Sequence, residues 1–224
     1  MSTEKNRPKR RILLVDDHPL LRQGISQLIN QQPDLTVCGE AEDRAGALEQ
    51  TANTKPALAV VDISLKEERG LDLIKDLKAQ YPNLPVLVLS MHDESLYAER
   101  ALRAGARGYI MKREASEKVL EAIRQVLAGA VYVSDKITGR ILDQVSGRVE
   151  KAKSSALDLL TDRELEIMML IGKGYGSQQI SNQLHISVKT VEAHRANIKE
   201  KLNLPSSAEL LQNAIRWAQQ MGDI

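Results

Sequence analysis

The stretch Leu58-Ala59-Val60-Val61-Asp62 is short, rich in β-branched residues, free of polar side chains until its last position, and closed by a carboxylate. Such a run predicts a strand buried on both faces, as in a parallel sheet. Two further runs repeat the design: Ile12-Leu13-Leu14-Val15 leads into Asp16 and Asp17, and Val86-Leu87-Val88-Leu89 leads into Ser90. Tyr109-Ile110-Met111, ending at Lys112, is a weaker fourth. Ligands of open parallel sheets bind outside the carboxyl ends of the strands, so these polar residues are expected along one edge.

Helical patterns fill the gaps between these runs. His18-Pro19 opens a helix with Leu21, Ile25, Leu28 and Ile29 at helical spacing, stopped by Pro33. Leu35 to Gly39 reads as another strand, and Arg44 to Thr51 as a short helix. Leu71, Ile74 and Leu77 carry a helix that ends before Pro82. Further helices are expected from Leu96 to Ala104 and from Ser116 to Ala128. Strand and helix thus alternate five times, which right-handed crossovers assemble into a doubly wound, five-stranded parallel sheet of the α/β class. A helix is expected from Tyr132 to Gln144. Ser146 to Ser155, rich in Ser, Lys and Gly, reads as a flexible linker. Beyond it strand patterns disappear, and a small all-α domain is expected. The boundaries drawn are 10–128, 129–156 and 157–224.

Composition narrows the function. The 224 residues carry a net charge of +1 and no Phe, one Trp and five Tyr, so the core is aliphatic and stacking on nucleobases is an unpromising binding mode. Charge alone does not point to nucleic acid. A single cysteine, Cys38, excludes a disulfide within the chain and reads as a buried small residue. No apolar run approaches the roughly 20 residues of a membrane span, and Met1 to Arg11 has no hydrophobic signal core, so a cytoplasmic protein with no membrane partner is expected. Lys9-Arg10-Arg11 reads as a solvated leader. Gly172, Gly174 and Gly176 lack the Lys-Ser/Thr of a phosphate loop and read as a turn.

Asp16, Asp17 and Asp62 would repel one another unless a cation lay between them. Mg2+ is the natural occupant, since it binds through one or two carboxylates and completes its shell with water and phosphate oxygens. Lys112 supplies a point charge for a phosphoryl oxygen, the Ser90 hydroxyl a hydrogen bond, and Asp62 a nucleophile that forms an aspartyl phosphate. The plainer reading of these acids is helix capping and loop solvation.

Val15-Asp16-Asp17-His18-Pro19, Val61-Asp62-Ile63-Ser64-Leu65, Leu89-Ser90-Met91-His92-Asp93-Glu94 and Ala104 to Lys112 together resemble a response-regulator receiver of the NarL/FixJ type, with its flavodoxin-like fold. The resemblance implies phosphorylation of Asp62 by a sensor histidine kinase. It also implies direct Mg2+ binding by Asp17, with Asp16 acting largely through water and Ser64 giving a backbone carbonyl. It makes Ser90 and Tyr109 the switch: the hydroxyl moves toward the phosphate and the ring turns inward. Lys66-Glu67-Glu68-Arg69 departs from the proline-containing loop usual in the family.

In the second domain Thr161 and Glu164 form a capping box, stapled by Leu160 and Leu165. Ser177 to Leu184 and a helix capped by Ser187 and running to Leu202 read as a helix-turn-helix. Val188, Val191, Ile198 and Leu202 share the inner face of the second helix. Its outer face centres on Lys189, Glu192, Ala193 and Ala196, flanked by Thr190, His194, Asn197 and Lys201. On double-stranded DNA, Glu192 can accept from a cytosine amine, Ala193 and Ala196 allow close approach, and Thr190, His194, Arg195, Asn197, Lys199 and Lys201 reach phosphates. The bland alternative is a helical bundle with a solvated face. Leu160 to Glu164, Ile180 to Leu184 and Ser187 to Ile198 resemble the LuxR-type DNA-binding domain. That resemblance implies a last helix, Ser207 to Met221, pairing through Leu210, Leu211 and Ala214 in a homodimer formed on phosphorylation or on DNA.

The expected protein is a phosphorylation-switched transcription regulator and not an enzyme, apart from slow loss of its own phosphate. Two rivals stand beside it. An Mg2+-dependent phosphohydrolase similar to the haloacid dehalogenase class wants a second acid where Ser64 stands. A regulator that works without phosphorylation is the other, suggested by the altered loop at Lys66.

Overall fold

The computed structural model describes residues 8–65, 70–146 and 159–220. The central run forms β3 (Leu58–Val61), all four residues buried, and its neighbours are β1 (Arg10–Val15) and β4 (Val86–Ser90). With β2 (Leu35–Ala41) and β5 (Gly108–Met111) they make a parallel sheet ordered β2-β1-β3-β4-β5. Alternation of side chains sends Ile12, Leu14, Leu58, Val60, Leu87 and Leu89 to one face. There they meet α1 (Pro19–Asn30) and α5 (Ala115–Leu127) through Ile25, Ile29, Val119 and Ile123. The helices α2 (Arg44–Thr54), α3 (Gly70–Gln80) and α4 (Glu94–Ala104) pack side by side, α2 against β2 and β1 and α4 against β5. Each fully buried aliphatic side chain stabilises this sandwich by roughly 1.5–3 kcal/mol.

The expected elements are present, and their ends differ for local reasons. Helix α4 starts at Glu94 because the Asp93 side chain caps it, accepting from Ser95 N at 2.8 Å. Helix α2 runs on to Thr54, where Lys55 adopts a left-handed conformation (φ 47°) as its C-cap. Cys38 is half-buried instead of buried, since β2 is an edge strand.

The helix expected from Tyr132 is α6 (Asp135–Val145). Tyr132 itself bridges to Gly108 on the outer edge of β5, with Tyr109 N–H donating to the Tyr132 carbonyl at 2.8 Å. The chain divides into two compact units at Ile141/Leu142. The linker read at 146–155 and the loop at 66–69 lie, Ser146 apart, outside the described residues.

In the second unit α7 (Asp162–Gly172) is opened by the Thr161–Glu164 capping box, and Leu160 and Leu165 are both buried. Gly174 turns the chain at φ +85°. Helix α8 (Ser177–Gln183), a turn through His185 at φ 51°, and α9 (Val188–Lys201), capped by the Ser187 hydroxyl, complete the helix-turn-helix. Helix α10 (Ser207–Gln220) packs on α7 so closely that a Cβ on Gly172 would meet the Ala214 carbonyl oxygen at 2.5 Å. Among the described residues no helix is long and apolar enough to cross a membrane.

Candidate functional site

Strand order reverses between β1 and β3, and the crevice at such a switch point lies over the carboxyl ends of those strands. The residues just past them are Asp16, Asp17 and Asp62. Asp62 is 1% exposed and Asp16 5% exposed, so both carboxylates have left bulk water. Asp62 Oδ1 accepts the Ser64 N–H at 2.8 Å, and its Oδ2 accepts Lys112 Nζ at 2.7 Å. Lys112, delivered from the end of β5, lies 2.8 Å from Asp16 Oδ2 as well.

Burial pushes the Asp62 carboxyl above its ordinary value, and the Asp16 charge adds to this; the charge and hydrogen bond of Lys112 and the Ser64 N–H pull it back. One ammonium therefore faces two buried carboxylates.

Two oxygens are left over. Asp16 Oδ2 and Asp17 Oδ1 are buried without a hydrogen bond; Lys112 and His18 Nδ1 come near them, at 2.8 and 2.7 Å, but at angles that do not make one. One donor atom each from Asp16, Asp17, His18 and Asp62 lies within 4.8 Å of the others. Hard carboxylate oxygens gathered at this spacing fit a hard divalent cation.

The structure thus brings Asp16, Asp17, Asp62 and Lys112 together. Ser90, fully buried at the end of β4, accepts the His92 N–H at 3.0 Å. Tyr109 is 2% exposed, and its hydroxyl donates to the His92 carbonyl at 2.8 Å. Burial holds this phenol well above its usual pKa, so it remains a donor. Gly70 lies so close behind the site that a Cβ there would sit 2.3 Å from Ile63 Cα.

Two side chains here were not read as site residues in the sequence. Arg22, one turn into α1, donates to the Asp16 carbonyl and pairs with Glu40 at 3.1 Å. His18 was read only as a helix opener, yet its imidazole leans over the acids. The signal for His18 was available: an Asp two residues before a backbone N–H forms a local turn, and Asp16 accepts His18 N at 2.8 Å.

On α9, Val191 and Ile198 are buried, while Lys189, Thr190, Glu192, Ala193, Ala196 and Asn197 are exposed on the other side. His194 and Arg195 are half-exposed, as is Lys199. Glu192 is engaged within the domain by the Ser177 hydroxyl and by Arg195 at 3.8 Å.

Lys201 is exposed at the end of α9, and its ammonium binds the buried Glu164 carboxylate at 2.6 Å. One expectation needs correction. Leu210 and Ala214, expected at a dimer contact, are 0% and 1% exposed inside their own domain, because α10 needs them to pack on α7; only Leu211, 42% exposed, is offered outward.

The sequence pattern of the response regulator receiver domain matches residues 12–124, and that of the bacterial regulatory proteins of the luxR family matches residues 158–214. The chain is 36% identical over 210 residues to the oxygen regulatory protein NreC of Staphylococcus carnosus (strain TM300), covering 92% of this chain and 97% of that one. Among solved structures, a two-component response regulator of the LuxR family from Aurantimonas sp. SI85-9A1 superposes with a TM-score of 0.57 at 32% identity, over 62% of this chain and 99% of that one. RcsB of Salmonella enterica serovar Typhimurium, bound to the promoter rprA in the presence of the phosphomimetic BeF3−, shares the fold at 23% identity, with a TM-score of 0.59 over 92% of this chain and 98% of that one. Matched in both halves and along nearly its whole length, the chain belongs to the two-component response regulators, transcription regulators that join a receiver domain to a LuxR-type DNA-binding domain.

Proposed function

We propose that Asp62 accepts a phosphoryl group from a sensor histidine kinase and that its phosphorylation controls operator binding and dimerisation by α9 and α10. The observation that carries this is the pairing of a nearly inaccessible Asp62 carboxylate with Lys112 Nζ at 2.7 Å, beside two further acids.

In the transfer an Asp62 oxygen bonds to phosphorus as the phosphorus–nitrogen bond of the kinase's phosphohistidine breaks. Lys112 holds a phosphoryl oxygen by charge, and Ser90 donates its hydroxyl proton to another. Asp16, Asp17 and Asp62, with the Ser64 carbonyl, would hold Mg2+, which neutralises the oxygens of the transferring group. Slow self-dephosphorylation, with no turnover of other esters, belongs to the same reading.

Lys189, Thr190, Ala193, Ala196 and Asn197 form the surface that meets the major groove, with Arg195 and Lys199 at its border for phosphates. Leu211 is the outward residue of α10 available to a second copy. A cytoplasmic site of action follows from these partners.

The test is phosphorylation by acetyl phosphate with Mg2+, followed on a phosphate-retarding gel, with operator binding measured in parallel. Wild type is expected to be modified and to bind DNA more tightly, and Asp62→Asn to do neither. Equal modification of Asp62→Asn, or equal stimulation of its DNA binding, overturns the reading. The buried Tyr109 favours a second reading, a receiver already set for DNA binding without phosphate; identical operator affinity with and without BeF3− would select it.

A further inference from the structure

The turn from Ser90 to Ser95 is held from two sides. On the inner side His92 N–H donates to Ser90 Oγ at 3.0 Å, the His92 carbonyl accepts Tyr109 Oη at 2.8 Å, and the His92 ring stacks on Tyr97 with centroids 4.5 Å apart.

On the outer side stands the segment that follows α5. Tyr132 pairs with the free edge of β5: its carbonyl accepts Tyr109 N–H at 2.8 Å and its N–H donates to the Arg107 carbonyl at 3.0 Å. The fit is tight, since a Cβ on Gly108 would lie 2.9 Å from the Tyr132 carbonyl oxygen. Ser134 Oγ donates to Glu94 Oε1 at 2.7 Å, and Ile137 is 0% exposed. Arg140 donates to the Ser95 carbonyl at 2.8 Å and pairs with Glu99 at 3.2 Å. Glu94 and Ser95 are the first residues of α4. Residues 132–140 are therefore a strap across the same turn that carries Ser90 and faces Tyr109.

We infer that this strap is part of the phosphorylation switch: Ser134 and Arg140 are positioning residues that hold the Ser90–Ser95 turn in its phosphoryl-accepting arrangement. The inference rests on the reading of Asp62 given above. In the arrangement seen, Ser90 Oγ accepts the His92 N–H at 3.0 Å, so the position of the hydroxyl is tied to the backbone of the turn. An exposed Arg–Glu pair alone is worth little. Arg140 differs because its guanidinium also binds a main-chain carbonyl in the first turn of α4, and so fixes backbone. The coupling is reciprocal: whatever seats the strap favours a phosphoryl group on Asp62, and a phosphoryl group seats the strap, from which the chain runs on to the DNA-binding domain.

The experiment uses the full-length chain with Mg2+ and BeF3− as the probe. Affinity for BeF3− is measured by titration calorimetry for wild type, Arg140→Ala, Arg140→Lys and Ser134→Ala, and hydrogen exchange of residues 134–141 is followed in wild type with and without BeF3−. Arg140→Ala is expected to weaken BeF3− binding about three- to tenfold, in line with common coupling energies between sites. Ser134→Ala is expected to weaken it less, Arg140→Lys to recover part of the loss, and exchange of 134–141 in wild type to slow when BeF3− binds. Melting curves show whether each variant is folded. Unchanged affinity in folded Arg140→Ala and Ser134→Ala, or exchange indifferent to BeF3−, overturns the strap while leaving Asp62 as acceptor. Wild type that binds no BeF3−, or Asp62→Asn that binds it equally, overturns the underlying reading and the strap with it.

Discussion

Glu164 is 3% exposed, and its Oε2 accepts both the Thr161 N–H at 2.7 Å and Lys201 Nζ at 2.6 Å. Burial raises its pKa, but the bonds from Lys201 and from the Thr161 backbone and hydroxyl outweigh this and leave it below its ordinary value of 4.5. A carboxylate with a depressed folded pKa stabilises the fold above its unfolded value, and that contribution is lost as pH falls through the folded pKa. The LuxR-type domain is therefore expected to lose urea resistance as pH drops below about 4.5, and Glu164→Gln to flatten that dependence. Breaking a buried pair costs about 3–5 kcal/mol. Because the Lys201 side chain is 36% exposed, solvent screening brings the expected loss for Lys201→Met at pH 7 down to about 2 kcal/mol, read from the shift of the urea midpoint. An unshifted midpoint would show that the pair is solvated in solution.

Helix α10 shows two neighbouring leucines with opposite duties. Leu210 is 0% exposed against the domain core, and Leu211 is 42% exposed. Truncating a fully buried leucine costs about 2–5 kcal/mol, whereas an exposed one away from special contacts stays within about 0.5 kcal/mol. Thermal unfolding is expected to register Leu210→Ala strongly and Leu211→Ala hardly at all. If α10 joins two copies on DNA, the order reverses in a gel-shift titration over folded variants: Leu211→Ala then loses cooperative operator binding while keeping its melting temperature. Cooperative binding by Leu211→Ala equal to wild type would move the dimer contact elsewhere.

For the whole molecule, the first unit extends past α5 to Ile141. A chain cut at residue 128, where the receiver was expected to end, loses the Tyr132 hydrogen bonds to β5 and the burial of Ile137. Two backbone bonds at about 1 kcal/mol each and one isoleucine at roughly 1.5–3 kcal/mol sum to about 4 kcal/mol. Residues 1–128 are thus expected to melt well below residues 1–141, and equal melting temperatures in a calorimetric scan would deny the strap any share in stability. The reading from residues alone placed the sheet, its order of elements and the acids that close its strands, because a buried strand needs a continuous apolar run and a cap needs a particular side chain at a particular offset. Those constraints act within a few residues, so Asp62 at the end of β3 and the Thr161–Glu164 box were legible in the string of letters. Where long charged side chains end up was not. Lys201 binding Glu164, Arg140 binding Ser95 and Glu99, and Arg22 pairing with Glu40 join positions remote in the chain. The packing of whole helices decides which of several partners lies within reach of a flexible stem, so only the tertiary structure assigns those charges.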